Sequence, residues 1–387
     1  MKILLIRLSA IGDVVRTLPA FTCLRRGLPD ARIEWAVEEA STGVLRDQPG
    51  LDRIVVFPRK QLARTIFAPD ELPAAGRALA AFLRDLRESR YDLVIDFQGT
   101  FKTGLLSRLT QAPRRVGLGR GHAREMSNIF YAETARLPRK RMNRVDRALA
   151  LVAHLGINID NPESDIPERA ADAAYVESFL AGLSARAAAG PPAVIFPGTS
   201  RAQAYKRYPA SHFARAADRI AESSGAPIVV AWGPGEEELA GDVIASMRTP
   251  ASLAPALSLG QLTSLIRRCR VFVSSDTGPM HIAWTVGAPV VAVLGPTDPV
   301  LNHPGGTLGE VAYKKIWCSP CRNRGCSSRS CLEELPPETV AEAALTVIRR
   351  AETARPHLGQ SPRVILAPEA PRHETMGPGA RPRDGAH

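Results

Sequence analysis

The chain has 387 residues, 45% of them hydrophobic and 5% aromatic, with a formal net charge of +11. That length exceeds one ordinary core and suits two domains and a tail, and no apolar run reaches the length of a membrane span. Low aromatic content, with no helix-turn-helix, RNP or zinc-finger pattern, argues against a nucleic-acid partner.

The opening stretch, Met-Lys-Ile-Leu-Leu-Ile-Arg, holds an apolar run of only four residues and no small-residue cleavage site. It reads as a first strand and not a signal peptide, so the expected location is the cytoplasm. Lys2 to Leu8 is that strand. Ser9-Ala-Ile-Gly-Asp then turns the chain into a helix running to about Gly27. Gly12 stands at the turn and Asp13 at the helix start, where Asp is a favoured N-cap and equally a general base projecting into a cleft. Further strands follow at Ile33–Val37, Ile54–Phe57 and Leu93–Asp96, with a helix over 71–88 between the last two. The loop after Asp96, Phe-Gln-Gly-Thr-Phe-Lys-Thr-Gly, puts an amide and the cation of Lys102 at a strand's carboxyl end, where open α/β sheets bind ligands. Lys102 reads equally as a surface residue of the next helix.

Between Lys102 and Arg147 stand twelve Lys/Arg against Glu125, Glu133 and Asp146. A solvated surface accounts for such a run. Its single sign also fits an anionic small substrate or a membrane surface. A helix is expected over 143–155. Residues from about 158 to 192 read as an interdomain connection around one helix, Ala171 to Leu183.

A second α/β unit begins with the strand Ala193-Val-Ile-Phe, which ends in Pro197-Gly-Thr-Ser-Arg. Thr199 lies in that loop, and Lys206 lies between it and the helix 211–223. A cation there neutralises a diphosphate or simply faces solvent. The strand Ile228–Trp232 ends in Gly-Pro-Gly-Glu-Glu-Glu, where Glu236 is placed to accept hydrogen bonds from ribose hydroxyls. Val271-Phe-Val, Ser-Ser-Asp-Thr-Gly-Pro, a helix from Met280 to Val286 and the strand Val290–Leu294 then form a βαβ unit. Thr277 or Asp276 is expected to cap that helix, whose free N–H groups and Gly278 make a phosphate-binding start. Asp276, a carboxylate beside a phosphate site, suits sugar hydroxyls better. Neither half carries GxGxxG with a following acid, nor GxxxxGK[ST], so a dehydrogenase or P-loop NTPase is disfavoured. What remains is a nucleotide or diphosphate ligand in a cleft between two Rossmann-like units.

Ser9-Ala-Ile-Gly-Asp-Val with Thr17-Leu-Pro-Ala, Asp96-Phe-Gln-Gly, Phe196-Pro-Gly-Thr, Trp232-Gly-Pro-Gly-Glu-Glu, Ser275-Asp-Thr-Gly-Pro-Met-His and Gly295-Pro-Thr-Asp-Pro resemble glycosyltransferase family 9, the ADP-heptose:lipopolysaccharide heptosyltransferases. Val37-Glu-Glu and Lys206-Arg-Tyr-Pro resemble heptosyltransferase I more than II. The resemblance covers about residues 1–350. It implies an α/β GT-B fold, with an acceptor-binding domain over 1–165 and a donor-binding domain over 190–350. It implies an inverting transfer of heptose from ADP-heptose to an anionic Kdo-lipid A inner core, at the cytoplasmic face of the inner membrane and without a catalytic metal. In that reading Asp13 is the general base beside Gly12, and Lys206 stabilises the departing ADP. Thr277 and Gly278 hold the diphosphate, Asp276 the heptose hydroxyls and Glu236 the ribose. His281 touches phosphate or is a core or capping histidine. Another nucleotide sugar or surface glycan in the same fold, or a non-catalytic nucleotide-sugar binder, are the alternatives.

Cys318, Cys321, Cys326 and Cys331 depart from the heptosyltransferase I pattern. Four thiols in one loop suit a structural zinc, although the spacing matches no standard zinc ribbon, and a redox or disulfide pairing is the competing reading. Cys23 and Cys269 read as core residues. From about Ala354 the composition turns to Pro, Arg, Gly and Ala, and 354–387 is expected to be a disordered tail.

Overall fold

The computed structural model describes residues 1–64, 70, 72–139, 141–184, 190–353 and 363–366. Six strands, β1 (Lys2–Ile6), β2 (Arg32–Glu38), β3 (Arg53–Phe57), β4 (Leu93–Asp96), β5 (Arg114–Leu118) and β6 (Glu133–Ala135), form one sheet in the order β3-β2-β1-β4-β5-β6. Every pairing in it is parallel. The central strand reads Lys-Ile-Leu-Leu-Ile because helices cover both faces of a parallel sheet, leaving no solvated side for a polar residue. Leu4 and Ile6 join the layer of Phe82, Leu86 and Leu106, while Ile3 and Leu5 pack on the opposite face with Leu18, Phe21 and Leu149.

The second sheet has seven strands, β7 (Ala193–Phe196), β8 (Ile228–Val230), β9 (Ala251–Leu253), β10 (Val271–Ser275), β11 (Val290–Leu294), β12 (Gly309–Tyr313) and β13 (Arg363–Leu366). Their order is β13-β12-β11-β10-β7-β8-β9, again all parallel. The strand order reverses beside β1 in the first sheet and between β10 and β7 in the second. Loops leaving neighbouring strands at such a point diverge and open a crevice at the carboxyl edge. The loops after β1, β4, β7 and β10 are those singled out in the sequence.

Two expectations change. The helix Ala170–Ser184 packs on Leu259–Arg267, with Val176 fully buried, Asp165 on Arg267, and Glu168 and Glu177 on Arg268. The segment read as a connection is thus a wall of the second unit; its alternation of acids and alanines concealed how much apolar surface it covers. In the region read as a tail, 363–366 pairs with β12 in parallel register, because β12 offers an open sheet edge. The remainder of 354–387 lies outside the described residues. Among the described residues no helix is long and apolar enough to cross a membrane.

The two units touch where two short helices cross. A Cβ on Gly12, in Ile11–Val15, would lie 3.3 Å from the Gly278 Cα and 2.7 Å from His281 Cδ2, in Gly278–Thr285. Only glycines let these backbones approach so closely. The Arg141 guanidinium adds a two-pronged bridge to Asp298, with both N–H···O distances 2.7 Å. Arg16 donates to the Asn302 side chain at 3.2 Å.

Candidate active site

At the carboxyl end of β1 the chain passes Arg7 and enters the helix Ile11–Val15. Ala10 is the N-cap residue and Asp13 lies in the first turn, so Asp13 is not the cap. Its carboxylate is free to face the crevice. Arg7 reaches it at 2.9 Å and Arg144 at 3.3 Å, and Arg16, one turn along the same helix, closes a third contact. One fifth of the Asp13 side chain remains exposed. Burial acts to raise its pKa, but the guanidiniums of Arg7, Arg16 and Arg144, with His281, outweigh burial and hold it well below the usual carboxylate range. Asp13 is therefore ionised and aimed at the cleft, yet weakly basic while all three cations surround it.

Opposite stands the end of β10. Asp276 is buried and accepts from Lys206 Nζ at 2.9 Å. Burial raises its pKa; Lys206 and His281 bring it below the ordinary value. Thr277 is the N-cap residue with extended backbone, but neither it nor Asp276 caps the helix through a side chain. The expected side-chain cap is absent because Asp276 is spent on Lys206, and the first turn of Gly278–Thr285 is left uncapped by protein carboxylate or hydroxyl. Such a start favours an anion. His281 is 2% exposed, and its Nε2 lies 4.0 Å from Asp276 Oδ1. Burial and the nearby Arg16 depress its pKa well below the ordinary value, so it sits neutral between Asp13 and Asp276. Its Nδ1 is buried without a hydrogen-bond partner.

Further along the same sheet edge, Arg207 donates to the Thr199 carbonyl at 2.6 Å and lies 3.6 Å from Glu236 Oε1. Glu236 accepts from the Gly233 N–H at 3.2 Å, and a Cβ on Gly198 would fall 1.9 Å from its Oε2. Gly198 thus lets Glu236 close over the β7 loop. Burial pushes the Glu236 pKa up. Lys102 stands elsewhere, 3.6 Å from Glu38 and over the Phe57 ring at 4.9 Å. It makes no contact with the Asp13–Asp276 group.

The cysteine loop buttresses the loop after β11. The Ser319 hydroxyl donates to the Gly295 carbonyl, and the Cys321 and Arg322 N–H groups donate to the Pro296 carbonyl at 3.1 and 2.9 Å. Asp298 in that loop caps Pro299–Asn302 and holds Arg141, which gives the motif's acid a structural use. All six cysteines are free, and among the described residues no group of three or more His, Cys, Asp or Glu is set to hold a metal ion.

Comparison with known proteins decides the family. The model of glycosyltransferase family 9 (heptosyltransferase) matches residues 79–332. The chain belongs to glycosyltransferase family 9. It is similar to lipopolysaccharide heptosyltransferase 1 of Pseudomonas aeruginosa, 28% identical with 92% of this chain and 100% of that one covered. The Escherichia coli K12 protein of the same name is 28% identical over 87% of this chain and 99% of its own length. Among solved structures, E. coli heptosyltransferase WaaC with ADP-2-deoxy-2-fluoro heptose superposes with a TM-score of 0.68 at 26% identity, covering 92% of this chain and all of that one. E. coli ADP-heptose lps heptosyltransferase II, 22% identical with a TM-score of 0.68 over 91% of this chain and 100% of its own, shares the fold. This family 9 glycosyltransferase therefore has the GT-B arrangement of two facing α/β units.

Within the family 9 cleft, the structure gathers Gly12, Asp13, Lys206, Asp276, Gly278 and His281 across one interface, with Thr199 and Glu236 along the carboxyl edge of the second sheet. Sequence reading missed Arg7, Arg16, Arg144 and Arg207. The signal for Arg7 was an arginine ending an otherwise apolar strand and that for Arg16 a spacing of three from Asp13 on one helix, and neither was used. Arg144 arrives from 131 residues away, and nothing local announces it.

Proposed function

We propose that this glycosyltransferase transfers L-glycero-D-manno-heptose from ADP-heptose to the Kdo inner core of lipopolysaccharide, with inversion at the anomeric carbon. The observation that carries the reading is a cleft-facing carboxylate, Asp13, set against an uncapped helix start with a lysine beside it. A binder of nucleotide sugar has no use for a base across from its phosphate site. The donor's diphosphate enters at Gly278 and draws Lys206 from Asp276, freeing Asp276 for heptose hydroxyls. Glu236 takes the ribose. The acceptor hydroxyl attacks the anomeric carbon, its proton passes to Asp13, and the bond to ADP breaks with the leaving charge on Lys206 and the helix dipole. An anionic acceptor contacting Arg7 or Arg144 would relieve Asp13 of part of its positive cage and make it a stronger base as the acceptor binds. No divalent metal is assigned a step.

In this reading the enzyme works at the cytoplasmic face of the inner membrane, where a lipid-linked acceptor is presented. A structural zinc on Cys318, Cys321, Cys326 and Cys331 belongs to the same proposal and rests on their spacing. The loop would have to draw its thiols together, and metal analysis of the protein as isolated tests it.

The deciding experiment is transfer from ADP-heptose to Kdo-lipid A by the wild type and Asp13→Ala. Product with wild type and a loss of about a hundredfold or more in the variant, with ADP binding retained, supports reaction and base together. Binding of ADP-heptose without product points to another glycan acceptor. Preference for UDP or GDP over ADP would sink the heptosyl assignment.

A further inference from the structure

We propose that the face formed by the helix Phe101–Leu109 and the short turn Ser127–Phe130 is the surface by which this enzyme docks on an anionic lipid bilayer. The proposal rests on the reading above that the acceptor is lipid-linked. Phe101, Leu105, Met126 and Ile129 are each between 37% and 69% exposed, a concentration of large apolar side chains on two adjoining elements. These elements are pressed together. Phe101 and Phe130 meet edge to face at 5.1 Å, and a Cβ on Gly104 would lie 2.8 Å from the Phe130 ring. The apolar face is therefore held rigidly in the open and is not a frayed edge. Clustered exposed apolar area of this kind marks an interaction site.

Charge selects the occupant. Arg108, Arg120 and Arg124 are exposed around the same face, and no described carboxylate forms an ion pair with them, whereas Arg114 is bound to Glu133 and Arg141 to Asp298. The acid in their midst, Glu125, accepts the Phe101 backbone N–H at 3.2 Å. Apolar side chains ringed by unpaired guanidiniums match a membrane interface, where the rings and chains enter the acyl boundary and the cations meet lipid phosphates. The position fits the chemistry too. The Arg124 N–H donates to the Gly99 carbonyl at 2.9 Å, joining the patch to the loop after β4 at the carboxyl edge of the sheet that carries Asp13. Docked this way, the acceptor cleft opens beside the bilayer.

The test is flotation of the full chain with vesicles of phosphatidylethanolamine and phosphatidylglycerol, against vesicles of phosphatidylcholine alone, at low and high salt. The expected wild type floats with the anionic vesicles only. Met126→Asp with Ile129→Asp lowers that binding at least tenfold. Arg108→Gln, Arg120→Gln and Arg124→Gln together lower it about a hundredfold at low salt, three cations at about 1 kcal/mol each, and flatten its salt dependence. Both apolar positions are exposed, so the first variant folds, and it is expected to transfer to a deacylated acceptor at the wild-type rate. A wild type that floats with neither vesicle or with both alike overturns the proposal, as do variants that float like wild type. So does a wild-type dimer in solution that the apolar variant dissociates, which would give the face to a second copy of the chain. Flotation as expected with no transfer to the deacylated acceptor would leave the docking surface standing and remove the functional reading.

Discussion

At the residue scale, Asp13 is the clearest case of chemistry set by neighbours. Its folded pKa is depressed, so its ionised form contributes to stability fully above the ordinary aspartate value of about 3.9, and that contribution is lost only as the pH falls through the folded value. The same depression keeps it ionised, and poor as a base, throughout the neutral range. Arg144 is the cation most exposed and most distant of the three, at 3.3 Å with a quarter of its side chain in solvent. Arg144→Gln removes one positive neighbour and therefore raises the Asp13 pKa. Acid unfolding should therefore begin at a higher pH than in the wild type. An acid-unfolding curve superposable on wild type would show that Arg144 does not act on Asp13. Burial lowers the His281 pKa in the same cleft, so no histidine charging is expected near neutrality to complicate that curve.

At the scale of elements, the crossing of Ile11–Val15 with Gly278–Thr285 couples base and donor site. Gly12 matters here for what it lacks. His281 and the Gly278 backbone fill the space where a Cβ would go. His281 is buried and has no room to retreat, so Gly12→Ala forces the helices apart at a cost of about 1–3 kcal/mol. We expect a lower Tm and transfer reduced at least tenfold, while ADP affinity changes only a few-fold because Lys206 and Glu236 stay on their own unit. Unchanged turnover in Gly12→Ala would mean that the working enzyme does not use this contact. The same logic reads Asp298. In the sequence it belongs to a family motif; in the fold it caps Pro299–Asn302 and holds Arg141.

At the scale of the whole molecule, the described polar bridges between the two α/β units include Arg141–Asp298, Arg16–Asn302 and Arg169–Asp47. Arg141 is the most exposed of them, with 57% of its side chain in solvent. An exposed pair adds little to stability, even with two-pronged geometry. Arg141→Ala should therefore cost less than about 1 kcal/mol in denaturant unfolding and yet slow transfer several-fold, because it loosens how the acceptor unit faces the donor unit. A large stability loss with normal turnover would instead make the bridge a strut of the fold.

What the sequence by itself determined is the part written locally. Apolar runs of four to six residues, each ended by a glycine-bearing turn and a helix start, specify buried parallel strands with ligand-competent loops, and they place Asp13, Glu236, Asp276 and Gly278 at sheet edges. The helix Ala170–Ser184 was legible as a helix, but its partner was not, because an alanine-rich face says little about what covers it. Only the tertiary structure decided which side chains share the cleft. Arg144 reaches Asp13, Lys206 reaches Asp276 and Arg141 reaches Asp298 across 131, 70 and 157 residues. Lys102, from the same kind of loop, turns to Glu38 and Phe57 instead. A strand end fixes where a side chain starts; which charge it meets is decided by the tertiary fold, within one unit for Arg144 and Lys206 and across the two units for Arg141.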